Sequence, residues 1–176
     1  MSFGKLVSAL LDDSEKFLAF ARQCSRKKEN ALMLSYCRAV FFGAWSALEG
    51  WINYVGTSFA RTDRTLSQYE VSFLTEKRIE IDDRGLISIT KQDDYHPALK
   101  KLLFIFRRFG RDFDFKHSKP DLWRELKEIE AIRHSVVHPR SREQGTKVSL
   151  EEAEKCYETV LTTINLLKEK IFDQQV

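Results

Sequence analysis

The sequence predicts an all-α protein: an up-and-down helical bundle with one small β-hairpin insertion. Three observations lead there. Apolar residues recur at three- and four-residue spacing along most of the 176 residues. Helix start and stop signals punctuate that pattern. Strict apolar/polar alternation is confined to one short stretch, where Arg78–Ile81 and Leu86–Ile89 flank Asp82-Asp83-Arg84-Gly85.

Leu6, Leu10, Phe17 and Phe20/Ala21 predict a first helix from about Phe3 to Cys24. The charged run Ser25–Asn30 is expected to be a loop, with Asn30 as a candidate cap. A second helix spans about Ala31 to Ala60. It is apolar over much of its circumference through Phe41, Phe42, Trp45, Leu48, Trp51 and Ile52, so it is central to the bundle or buried between subunits. Its most apolar stretch, Ala39–Val55, contains Glu49 and Asn53. That reads as a buried helix, too short and too polar for a membrane span.

Ser67–Lys77 is a short helix with Tyr69, Phe73 and Leu74 as contacts, and the hairpin follows at about residues 78–90. Two strands alone are marginal, so the hairpin must lean on helices. A fourth helix starts near Pro97, carries Leu99, Leu102, Leu103 and Phe106, and ends near Gly110. Arg111–Lys119 reads as a loop. Pro120 opens a fifth helix whose buried face is Leu122, Leu126, Ile129, Ile132 and Val136, and Pro139 stops it at His138. Arg140–Lys147 is a polar connector. Ser149 and Glu152 form a capping box for a last helix, about Leu150 to Phe172.

The length suits a single domain, residues 1–176, able to bury a sizeable core. Net charge is only +3, but its distribution is uneven. His96–Lys147 holds 13 Lys and Arg against 7 Asp and Glu, while Met1–Tyr95 balances 13 against 13. That excess suits a polyanion; a solvated basic face explains it comparably well. Cys24, Cys37 and Cys156 are odd in number and widely spaced, as reduced thiols of a cytoplasmic protein would be. The first fifteen residues lack a signal-peptide pattern, because Asp12 and Asp13 break the apolar run.

The stretch with most chemical content is Arg133-His134-Ser135-Val136-Val137-His138. Arginine offers a planar bidentate donor for phosphate. Histidine accepts and donates a proton near neutral pH. Five residues on an ideal helix separate side chains by roughly 140°, so Arg133 and His138 converge only if the helix frays at Pro139. The stretch resembles the signature of the HEPN superfamily: Arg, a polar residue, a few more residues, then His, placed just before the last helix of an all-α domain.

The resemblance implies a metal-independent endoribonuclease without cofactor. Two protomers would pair so that both copies of the motif meet in one cleft. His138 would be the base on the ribose 2′-hydroxyl, Arg133 would hold the phosphoryl oxygens, and His134 would orient the phosphate. A homodimer, an RNA substrate and an antitoxin or other partner protein are expected from it, in a toxin or anti-phage setting, with no membrane partner. In one subgroup a tyrosine two residues after the histidine is a modification target. Here that position is Arg140, so this mode of control is not supported.

Arg107, Arg108, Arg111 and Arg140 are candidates for guiding RNA phosphates. Glu49 and Asn53, polar residues in an apolar helix, are candidates for lining the cleft, with a structural hydrogen bond as the plainer role. The plainer reading of the motif is that Arg133 pairs with Glu130 and His138 caps late carbonyls. His134 and His138 have metal-chelating spacing, but no third ligand accompanies them. A non-catalytic HEPN-like module that binds RNA, a nucleotide or a partner protein is the alternative function.

Overall fold

The computed structural model describes residues 3–137 and 148–172. It is all-α with one small antiparallel hairpin. The chain divides into two compact units, Met1–Leu48 with Phe115–Val176, and Glu49–Asp114. Helices α1 (Phe3–Arg26) and α2 (Asn30–Thr62) come first, and the boundary between units falls within α2. The second unit continues with α3 (Gln68–Thr75), β1 (Lys77–Ile81), β2 (Ile87–Asp93) and α4 (Ala98–Phe109). The first resumes with α5 (Phe115–Ser118), α6 (Pro120–Val137) and α7 (Leu150–Ile171).

In the first unit α7 packs on α1 and on α6. The buried face of α1 is Val7, Ser14, Leu18, Ala21 and Cys24. Of the stripe Leu6, Leu10, Phe17 and Phe20/Ala21 that the sequence predicts, Ala21 is buried, whereas Leu6 and Phe20 are 44% and 48% exposed. One residue is 100° of helix, so a small error in choosing the stripe turns it away from the core. Phe17 and Phe20 instead set their rings against Tyr36 of α2, with centroids 6.1 and 5.5 Å apart. The loop before α2 is shorter than expected. The Met33 amide donates to the Glu29 carbonyl, so Asn30 is the first helical residue rather than the cap.

Gly43 sets how closely α1 and α2 approach. Ser14 Oγ donates to the Leu10 carbonyl at 2.7 Å, and a Cβ on Gly43 would stand 2.5 Å from that Oγ. Gly43→Ala is therefore expected to destabilise the protein by about 1–3 kcal/mol through overpacking. Ser14→Ala in the same chain should recover part of the loss, because the offending atom is the hydroxyl. Urea unfolding of the single and double variants checks this.

Helices α6 and α7 bury Leu126 and Ile129 together with Cys156, Val160, Ile164 and Leu167. The remaining expected face residues of α6, Leu122, Ile132 and Val136, are half-buried. Lys155 bonds Glu128 at 2.7 Å, and the Thr159 hydroxyl donates to Glu125 at 3.1 Å. The capping box of α7 forms as expected. The Glu152 amide donates to Ser149 Oγ, and the Ser149 amide donates to the Glu152 carboxylate at 2.7 Å. The expected loop Arg111–Lys119 contains the short helix α5, where Phe115 is buried edge-on to Trp123.

In the second unit α3 begins with a further capping box, between Ser67 and Glu70. The hairpin pairs Ile79 with Ile89 and Ile81 with Ile87. Its turn is closed by Asp82, whose carboxylate accepts the Arg84 and Leu86 amides at 2.9 Å, and by Gly85 at φ 78°. Both strands contact α3, which supplies the support that a two-stranded sheet needs.

Helix α2 has 33 residues, long and apolar enough to cross a membrane by length and composition. The expectation that Ala39–Val55 is too short for a span therefore does not extend to the whole helix. Cys37, Val40, Phe41, Ala44, Trp45, Ala47, Leu48, Ile52 and Val55 are buried, while Leu32, Phe42 and Tyr54 on the same helix are exposed.

Candidate functional site

Arg133 and His134 lie near the end of the 18-residue helix α6, whose described part ends at Val137. His138 and Arg140 fall outside the described residues. Arg133 is half-buried, one turn beyond the buried Ile129 and flanked by the half-buried Ile132 and Val136; His134 is exposed. The helix places Arg133 on the same face as the buried Leu126 and Ile129 and turns His134 about 100° further round. Ser135 Oγ donates back to the Ile132 carbonyl at 2.7 Å, a local contact within the helix. The Glu130 carboxylate accepts from Lys127.

The structure brings Arg107, Arg108 and Arg111 to one groove, about 300 Å³ in volume, with Phe104 and Asp112. These arginines are not equivalent. Arg108 joins three elements of the second unit: it donates to Thr65 Oγ1 at 2.8 Å, with Glu70 at 3.4 Å and Asp63 at 3.7 Å. The hydroxyl and amide of Thr65 hold the Asp63 carboxyl below its usual range, and Arg108 adds to the effect. Bonds from Ser67 lower Glu70 in the same way. Arg107 is exposed and reaches the Asp112 carboxylate at 3.5 Å. Arg111 and Asp112 both take the left-handed backbone, at φ 55° and 58°, where α4 ends.

Glu49 and Asn53 belong to the second unit and Arg133 to the first. Asn53 Oδ1 accepts a hydrogen bond from the Lys101 ammonium, which also pairs with Glu76 at 2.7 Å. Glu76 ends α3 with φ 54° and accepts the His96 amide at 3.3 Å. This polar centre joins α2, α3 and α4. In the sequence Lys101 stands in a basic pair, Lys100-Lys101, the usual mark of a solvated surface. A usable signal existed: Lys101 precedes Leu102, Ile105 and Phe106 at one, four and five residues, all buried. Asn53 in an apolar helix was its complement.

Cys24, Cys37 and Cys156 are all unpaired by disulfide and buried. Burial pushes the Cys156 thiol up to about 12 and raises Cys37 as well. A thiolate is the reactive form, so native protein is expected to label with a maleimide far more slowly than urea-unfolded protein. Mass spectrometry of timed reactions checks this, and rapid native labelling at any of the three would contradict it. Among the described residues no three His, Cys, Asp or Glu side chains cluster to hold a metal ion.

Comparison with protein-family models, with curated proteins and with solved structures finds no match for this chain.

Proposed function

We propose that this protein is a metal-independent endoribonuclease of HEPN type, working as a cytoplasmic homodimer. The observation that carries the reading is the setting of Arg133, half-buried near the end of α6 with His134 beside it and His138 five residues on in sequence. A half-buried arginine has its stem held by packing, and its planar fork is of the kind that recognises phosphate. The arginine groove of the second unit, with Arg107, Arg108 and Arg111, offers further positive charge for an RNA backbone.

The chemistry follows from the residue types. His138 takes the proton of a ribose 2′-hydroxyl. The freed oxygen attacks the adjacent phosphorus while Arg133 stabilises the developing negative charge. The bond from phosphorus to the 5′-oxygen breaks, and that oxygen takes a proton from the imidazolium of the second copy. A 2′,3′-cyclic phosphate and a 5′-hydroxyl end result. DNA lacks the attacking hydroxyl. A toxin or anti-phage role, held in check by a partner protein, is the biological setting that the resemblance suggests.

Matched RNA and DNA oligonucleotides incubated with chelator, followed by end mapping and native mass measurement, test the reading. Dimeric protein that cuts RNA to cyclic phosphate ends and spares DNA is the expected result. A monomer, or a dimer that cuts nothing across a broad RNA panel, overturns it in favour of a non-catalytic binding module.

A further inference from the structure

We infer that the second unit carries a binding site for a guanine nucleotide, in an open groove of about 440 Å³ whose lining includes Tyr69, Ser72, Phe73, Arg78, Asp94 and His96. That volume lies within the usual range for small-ligand sites. One wall is α3, which contributes Tyr69, Ser72 and Phe73. Arg78 comes from β1, and Asp94 and His96 from the link between β2 and α4. The link is held in place before any ligand arrives. The Asp94 amide donates to the Glu76 carbonyl at 2.9 Å, and the His96 amide donates to the Glu76 carboxylate. The His96 ring rests on Phe73, with centroids 4.7 Å apart.

Three side chains at the rim define the ligand. Tyr69 is 60% exposed, an aromatic face on which a base can stack. Arg78 is exposed and meets Gln92 Oε1 only at 3.4 Å, so its fork can turn to a phosphate. Asp94 is exposed, and its carboxylate lies 3.9 Å from His96 Nε2, beyond hydrogen-bond range. A bare anion would be repelled by Asp94, and a bare cation by Arg78. A ligand that carries both a pair of adjacent donors and a phosphate satisfies both. Guanine is the base whose adjacent N1–H and N2–H groups match the two oxygens of one carboxylate. Adenine, cytosine and uracil offer no such neighbouring pair of donors.

The same chemistry serves a free mononucleotide or a guanosine within single-stranded RNA, and two arms of one experiment separate them. The first is calorimetric titration of wild type with GMP, AMP, CMP, UMP and guanosine. The second titrates a short RNA containing one guanosine, and its guanosine-free counterpart, into Arg133→Ala protein. Cleavage there should be at least about 10²-fold slower, and intact strand is confirmed after each titration, so the result does not depend on the ribonuclease reading.

GMP is expected to bind at least about tenfold more tightly than the other mononucleotides. Asp94→Asn should erase that preference. Arg78→Ala should bring GMP down to the affinity of guanosine, and Tyr69→Ala should weaken all ligands together. All three positions are exposed, so the variants should keep the wild-type melting temperature. Binding of the guanosine-containing RNA without binding of GMP would make the strand the source of the ligand. Equal affinity for all four mononucleotides, indifference to Asp94→Asn, or no saturable binding in either arm would overturn the proposal.

Discussion

Glu76→Ala is expected to destabilise the protein by about 3–5 kcal/mol, the cost of leaving a buried charge without its partner. The Lys101 side chain is only 2% exposed, and its ammonium is satisfied by Glu76 and Asn53. Removing the carboxylate strands a positive charge deep in the second unit. The reverse change is milder. Lys101→Met keeps the volume of the side chain and leaves Glu76, 20% exposed, in partial contact with water and still accepting from His96. Asn53 loses its donor, which costs about 1–3 kcal/mol for an acceptor left unsatisfied. The double variant should be more stable than Glu76→Ala alone, because no isolated charge remains. Urea unfolding of the three variants gives the order. If Glu76→Ala proves no worse than Lys101→Met, the buried pair is not the organising contact described here.

The second large effect concerns RNA cleavage. His138→Ala should lower the rate by a factor of about 10²–10⁴, the usual contribution of a general base. Arg133→Ala should lower it by about 10²–10³ or more, since charge on the phosphoryl oxygens would develop without its donor. Arg133→Lys is the informative companion. It keeps the charge but loses the bidentate fork, so it should fall between wild type and alanine. Arg133 is half-buried near the helix end, and its truncation should leave the melting temperature within a few degrees of wild type. Full cleavage by either alanine variant would assign the activity to other residues. Loss of cleavage together with loss of fold would be resolved by Arg133→Lys, which preserves the packing of the stem.

The helices were legible because their signals are local. Ser149 with Glu152, Pro120 at the start of α6 and Gly110 at the end of α4 act within a few residues of themselves, and each is found where the pattern placed it. The hairpin was legible for the same reason, through Asp82 and Gly85. Legibility failed where a local rule was nearly indifferent. On α1 the stripes through Leu6 and through Val7 are similarly apolar, and burial against α2 and α7 made the choice. The helix α5 is four residues long, too short to show a period.

The motif on which the proposed function rests was also local, six residues of one segment, and the proposed chemistry is read from its residue types. Long-range pairing was another matter. No spacing links Asn53, Glu76 and Lys101, and none joins Tyr69 to Asp94. They meet because an apolar α2, a capped α3 and the hairpin turn the chain back on itself. A side chain's intrinsic chemistry is fixed by its covalent structure, and secondary structure responds to neighbours along the chain. Which distant polar groups share a buried centre or a cavity depends on packing summed over the whole unit, and only the folded chain specifies that.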